Sequence, residues 1–553
     1  MPSRKIIPII GEQDPFARSR AEMQAQGQTR RSSTMQSDYL RSSVVPVGWV
    51  ALIVAMMAAC TQTSAPTPTP TPAPTETEAQ AQTTDTRLGK LNFEQGFPTE
   101  ETAKKLFDEM DYQRAVQAYL WAYPAVSFES IRLAAKRDLG AELNDLVIAD
   151  NYADPKGVWL TANDTTIYAL SNVDLGKSGA IVVEIPPGAI VGIIDDFWQR
   201  SIADVGLPGP DGPRGGKFLL LPPSYEGDVP NAGYHVLQGT SNNYNIMVRG
   251  IVQNDDKDGA VQNVKRVRVY PLSESSNPKP NRFITMSGKV TDTTPPAGMA
   301  YWERLSGYIN NNPVQERDLF FLGMLKPLGI EKGKAFKPDT RQRAILEEAA
   351  RVGDAIGRAM LFDGPDRFHQ VGEGLGVEPF PGSKWHWVFQ VNPVQKTDTY
   401  GQIDERLHYT YGAIYTTPAL GVMKAGPGGN YVQAFKDKDG NRLDGAKSYR
   451  LHVPANAPAE AFWSLTIYDT ATRSMLQNAP NDSARSSLDK LKTNADGSID
   501  LYFGPGGSAP AGFEANWIET VPGKGFYPMM RFYSPKAGLF DGTWKLPDVE
   551  PMK

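Results

Sequence analysis

Asn163-Asp164-Thr165, in LTANDTTIYALSNVDLG, and Asp195-Asp196, closing AIVGIIDDFW, are where this 553-residue chain sets carboxylates beside apolar, strand-like sequence. An acid at the end of an apolar strand stands where a pocket residue would stand, able to donate or accept a proton. Side chains alternate along a strand, so at most one of the adjacent pair reaches a given site, and Asp164 and Asp196 are the acid–base candidates. Asp and Asn are also ordinary turn and cap formers, which gives both clusters a purely structural reading. The histidines His235, His369, His386, His408 and His452 are scattered and contain no HExxH-type pair, so no metal motif and no cofactor is read from them. In KWHWVF, alternation puts Trp385 and Trp387 on one strand face and His386 on the other. His408, in DERLHYTYGAIY beside Arg406, Tyr409 and Tyr411, joins the two acids as a possible base.

Other residue types suit binding rather than turnover. FWSLTIYDTATR alternates Trp463, Leu465 and Ile467 with Phe462, Ser464, Thr466 and Tyr468. That reads as a sandwich-core strand followed by a local Asp469–Arg473 pair. The other reading makes Trp463, Tyr468 and Trp517 stacking surfaces for a sugar or another flat ligand, with Asn163, Thr165 and Tyr168 as polar contacts. Arg531 lies in the apolar run MMRFY, where a lone guanidinium is costly to bury; it needs an acidic partner or an anionic ligand. KDKDGNRLDG has alternating acids but lacks the Gly and Glu places of a calcium loop, so it reads as a turn. GxSxG, a phosphate-binding loop and a dinucleotide fingerprint are all absent.

The single cysteine speaks of location. VVPVGWVALIVAMMAA (44–59) is uncharged, follows Arg41 and ends at Cys60. Its length suits a signal-peptide core better than a membrane span. Small residues before Cys60 resemble a bacterial lipobox, although Met stands three places before the cysteine instead of Leu. The resemblance implies acylation at Cys60 and a membrane partner through the lipid. The Thr/Pro tract after it should stay extended, and at roughly 3.1 Å per residue it would reach on the order of 70 Å. A net charge of −5 offers no footprint for nucleic acid.

These elements imply an order along the chain. Residues 1–34 are an unstructured leader or an over-extended start, 35–60 a lipoprotein signal peptide and 61–88 a linker. A helical segment (89–150) opens with Thr99 as N-cap, breaks at Pro124 and ends at Gly140. A β domain (151–300) follows, then a helical connection (301–384), then a C-terminal β-sandwich (385–553). DTRQRAILEEAARVGDAIGRAMLF is the clearest helix, with an Asp339/Gln342 capping box and an apolar face of Ile345, Ala349, Val352, Ile356 and Ala359.

LTANDTTIYALSNVDLG, NRLDGAKSYRLHVPANAPAEAFWSLTIYDTATRSMLQN, NADGSIDLYFGP and YPMMRFYSPKAGLFDGTWKLPDVEPM together resemble an exported bacterial family. In that family a domain of unknown function 1254 precedes a domain of unknown function 1214. The resemblance spans roughly residues 90–553. It implies a multi-domain, mainly β fold of jelly-roll-like sandwiches with helical segments at the start and middle, and it implies no agreed activity. The leading expectation is therefore an envelope-anchored protein holding a carbohydrate-like or small polar ligand between its β domains. A periplasmic hydrolase or lyase using Asp164, Asp196 and His408, and a structural envelope protein without a ligand, stand beside it.

Overall fold

The computed structural model describes residues 82–365, 378–421 and 423–552. The leader, Cys60, residues 61–81 of the expected linker and His369 lie outside the described residues; the linker's end, Gln82–Thr86, is instead a strand paired antiparallel with Gly89–Glu94. Among the described residues no helix is long and apolar enough to cross a membrane.

Two β-sandwiches and a set of helices pack together, the outer faces of both larger sheets sharing one apolar cluster with the helices. The first is built from β1 (Leu146–Ile148), β2 (Ile167–Asp174), β3 (Ile181–Ile185), β4 (Ile190–Asp196), β5 (Ser201–Gly206), β6 (Gly216–Leu221), β7 (His235–Gln238), β8 (Asn243–Gly250), β9 (Arg268–Pro271) and β10 (Phe283–Thr285). Its larger sheet has the order β10-β1-β2-β8-β4-β5 and its smaller sheet β7-β6-β3-β9. The apolar runs seen in the sequence supply the core between them. Ile167, Ala169, Ile246, Val248, Ile190 and Ile194 point inward from the larger sheet, and Ile181, Val183, Phe218 and Leu220 from the smaller.

The second sandwich uses β11 (Trp385–Trp387), β12 (Gly429–Ala434), β13 (Tyr449–Val453), β14 (Ala459–Asp469), β15 (Ala484–Ser486), β16 (Ile499–Pro505), β17 (Trp517–Thr520), β18 (Phe526–Pro535) and β19 (Glu550–Pro551). The sheets run β11-β12-β18-β14-β15 and β17-β16-β13-β19. The alternation of β14 holds: Trp463, Leu465 and Ile467 enter the core with Met530 and Phe532. KDKDGNRLDG is a turn, bridged from Lys436 to Arg442, in which Asp437 accepts from the backbone of Asp439 and Asn441. Asp469 does not pair with Arg473 but with Lys524 at 2.8 Å, because Arg473 turns inward and donates to the Tyr123 hydroxyl and the Tyr411 carbonyl.

The set of helices consists of α1 (Glu100–Leu139), α2 (Met299–Asn311), α3 (Leu319–Leu325), α4 (Thr340–Phe362) and α5 (Ile403–Gly412). Thr99 caps α1 and Gly140, with φ 68°, closes it, as the sequence indicates. The expected break at Pro124 does not occur: α1 is one helix of 40 residues with Pro124 inside. A proline there removes a backbone donor and crowds the preceding turn. Pro124 leaves the Leu120 carbonyl without its helical donor; Tyr301 and Arg406 donate to the flanking Tyr119 and Trp121 carbonyls, and burial on all sides holds the helix together. α5, inside the stretch expected to be strands and turns, is a helix because its apolar and aromatic residues pack into the same cluster.

The Asp339/Gln342 capping box of α4 forms in both directions. Its buried stripe, however, passes through Gly353, Gly357 and Met360, and Ala359 is exposed. The reason is steric. A Cβ on Gly353 would lie 2.4 Å from the Tyr119 ring and one on Gly357 2.5 Å from the Tyr411 ring, so the glycines admit two aromatic rings that alanines would exclude.

Candidate functional site

The faces of the two large sheets that turn away from their own sandwich cores enclose a shared cavity. Strand pairing decides what they present. On β8, Arg249 sits between Tyr168 of β2 and Val191 of β4, with Met247 and Asn245 following on the same face. On β18, Arg531 sits between Tyr431 of β12 and Ser464 of β14, and Tyr533 sits between Gly429 and Phe462 of the same two strands. Each sheet thus brings one guanidinium to the cavity from a central strand.

Tyrosine hydroxyls link the two sides. Arg249 donates from Nη1 to Tyr431 Oη at 3.3 Å, and its guanidinium lies 5.4 Å from the Tyr168 ring centre. Arg531 donates to Thr466 Oγ1 at 3.1 Å, to the Thr161 carbonyl at 3.1 Å and to the Tyr468 hydroxyl. Asn163 donates from Nδ2 to Tyr168 at 2.8 Å and to Tyr533 at 3.0 Å, while its Oδ1 accepts from Thr165. Deeper in, Tyr415 donates to Asn245 at 2.5 Å and Asn245 to Asn172 at 2.8 Å, so polar groups continue below the cavity floor.

The cavity has two adjoining chambers that share Met247, Arg249, Leu420 and Tyr431 in their walls. The inner one, about 60 Å³, is lined by Asn163, Tyr168, Arg249, Tyr431 and Arg531 among apolar walls that include Trp159, Met247 and Phe389. The outer one, about 240 Å³, opens between β4, β8 and the loop segments 417–420 and 427–429. Arg249 and Tyr431 line both chambers.

Electrostatics make the site unusual. Arg249 is 7% exposed and Arg531 1%, yet among the described residues neither has a carboxylate in an ion pair, and each keeps a buried Nε without a partner. Burial alone pushes both guanidiniums down, but the surrounding tyrosine oxygens outweigh it and hold both above the ordinary arginine value, so both are charged. Burial pushes the Tyr431 phenol up; Arg249 and Arg531 reverse that and hold it below the usual tyrosine value. Its neighbour Tyr533 is raised by burial and by Tyr431 itself. The cavity thus holds two buried positive charges and, among the described residues, no carboxylate paired to either.

Of the residues singled out in the sequence, Asn163, Thr165, Tyr168, Tyr468 and Arg531 come together here. Asp164 is adjacent but points the other way, into a polar hollow shared with Asp482 and Asp489. Burial pushes its carboxyl up to about 6, with those two acids adding to the shift. Asp196 is away from the cavity, buried against Arg200 at 2.5 Å. Its neighbour Asp195 faces inward below the cavity, accepting from Thr416 N at 3.0 Å and raised well above the usual range by burial. His408 donates from Nδ1 to the Met360 carbonyl at 2.8 Å, and burial lowers it. The expected acid–base set of Asp164, Asp196 and His408 therefore does not converge. Trp463 is in the second sandwich's core, and Trp517 is on β17 of that sandwich's far sheet. Among the described residues no group of three or more His, Cys, Asp or Glu is placed to hold a metal ion.

Arg249, Tyr431 and Tyr533 were not singled out in the sequence. The signal for Arg249 was the one that marks Arg531: a lone charge inside an apolar strand, NYNIMVRGIV.

Two family models match the chain. One, described as a protein of unknown function (DUF1254), covers residues 143–271; the other, described as a protein of unknown function (DUF1214), covers residues 428–537. Asn163, Tyr168 and Arg249 fall in the first segment and Tyr431, Arg531 and Tyr533 in the second. No curated protein matches the chain. Among solved structures, the VPA0106 protein from Vibrio parahaemolyticus is similar at 20% identity and a TM-score of 0.48, over 80% of this chain and 100% of that one. An uncharacterized protein from Burkholderia cenocepacia is similar at 10% identity and a TM-score of 0.34, over 82% of this chain and 98% of that one.

Proposed function

We propose that this chain, a member of the family in which DUF1254 is followed by DUF1214, is a binding protein for a small anionic ligand held between its two sandwiches. The observation that carries the reading is the pair of buried guanidiniums, Arg249 and Arg531, on one cavity without a carboxylate partner. Leaving such charges unpaired costs several kcal/mol, and a bound anion offsets that cost with charge-assisted hydrogen bonds. This sharpens the small polar ligand expected from the sequence to a negatively charged one. The location proposed for this activity is the cell envelope, with a lipid on Cys60. Support for that comes from the residue pattern of 35–60 alone.

The test is thermal melting of the full chain with acetate, sulfate, phosphate and a neutral sugar, each against chloride at matched ionic strength. Anions should raise the melting temperature, a ligand at 100 times its Kd contributing about 2.7 kcal/mol. The shift should disappear in Arg531→Met. Stabilisation by the sugar alone, or an anion shift that survives Arg531→Met, would refute the reading.

A further inference from the structure

Resting on that anion-binding reading, we infer that the ligand is amphipathic: a carboxylate-type head between Arg249 and Arg531, and an apolar body lodged in the outer chamber. The two chambers differ in size and in wall chemistry. The inner chamber holds both guanidiniums, the Asn163 amide and the Tyr431 hydroxyl in about 60 Å³. A water needs about 10–15 Å³ of such space, so the volume suits a group of roughly four heavy atoms. That is a carboxylate and the carbon it hangs from, and it is too small for a sugar ring.

The outer chamber, at about 240 Å³, is walled by Val191, Ile193, Leu207, Pro208, Ile251 and Phe462. Among the described residues that line it, the one side-chain cation is Arg249, at the junction with the inner chamber. Its carboxylate, Asp204, is already engaged, accepting from the Thr417 hydroxyl and from Ala419 N at 3.3 Å. A negative group is therefore drawn inward and repelled from the outer chamber, whose walls favour hydrocarbon. A sugar would need donors and acceptors around its whole rim, and the wall facing it is mostly aliphatic. Because Arg249 and Tyr431 border both chambers, a single molecule can fill the two with its charged end leading.

Isothermal titration of the full chain with acetate, hexanoate, decanoate, decanol and phosphate separates the possibilities. Affinity should climb from acetate to hexanoate by about fourfold per added methylene and level off when the outer chamber is full. Decanol should bind at least tenfold more weakly than decanoate. Ala461→Trp, at an exposed position on the chamber's rim, should weaken decanoate at least tenfold and leave acetate unchanged. Equal affinities for acetate and decanoate, or decanoate binding untouched by Ala461→Trp, would overturn the amphipathic ligand while leaving anion binding intact. Decanol binding as tightly as decanoate would overturn the charged head. If neither phosphate nor any carboxylate bound, the anion reading would fall with it. Arg531→Met should abolish binding of all the anions, and Arg249→Gln makes the same test should the first variant not fold.

Discussion

Arg249 on β8 and Tyr431 on β12 join the two sandwiches through one hydrogen bond of 3.3 Å, and the tyrosine carries a second guanidinium, Arg531, at 5.1 Å from its ring centre. A phenol placed between two cations is easier to ionise than one in water, even though burial works the other way.

Tyr431 should therefore ionise before the other buried tyrosines in an alkaline titration followed by the tyrosinate ultraviolet band. Tyr301, Tyr308, Tyr409 and Tyr415 are all raised well above the ordinary value by burial. Because the folded value of Tyr431 is depressed, its contribution to stability is present above the unfolded value of about 10 and is lost as pH falls through the folded value. Tyr431→Phe should remove the earliest phase. A bound anion should shift that phase to higher pH, since it neutralises the cations that favour the phenolate.

Arg531→Met should reveal a residue kept for binding. Removing one member of a compensated buried ion pair costs about 3–5 kcal/mol, whereas removing an uncompensated charge also removes its desolvation penalty. The ligand-free variant should lose less than about 2 kcal/mol in urea unfolding while the anion-induced rise in melting temperature vanishes. A loss at the higher figure would mark Arg531 as chiefly structural.

Asp164 should make stability fall towards neutral pH. Its folded value is raised to about 6 from 3.8, so its favourable contribution is full below the unfolded value and disappears as pH rises through the folded one. At 1.36 kcal/mol per unit, the penalty on ionisation is up to about 3 kcal/mol. Asp164→Asn, which mimics the neutral acid, should flatten the profile between about pH 4 and about pH 6 in denaturant titrations.

Trp463→Ala should destabilise the protein by about 3–5 kcal/mol, as deletion of a buried indole does, and leave ligand affinity of the folded protein unchanged. Calorimetric melting and titration of the same sample read both effects.

Strand alternation, caps and the Asp339/Gln342 box were legible in the sequence because each depends on neighbours within a few positions. Arg531 was legible too, since an isolated charge in MMRFY has to be answered by something. What could not be read was which face of β14 met the cavity. Alternation puts Trp463 and Tyr468 on opposite faces, but which of the two faces turns out of the sandwich depends on a second body of structure. Pro124 misled for a similar reason: the packing that holds its helix, with Tyr301 and Arg406 on the flanking carbonyls, comes from far along the chain. Asp196 looked like a pocket acid until Arg200, four residues on, closed back over it.

Asn163 meets Tyr533, and Arg531 meets Thr161, across 370 positions of chain. Ring closure over such a span comes late in folding, after each half has found its own order. Synthesised as separate polypeptides, the halves would each display a stranded cation to water. Restoring the receptor would then depend on how concentrated the two pieces were.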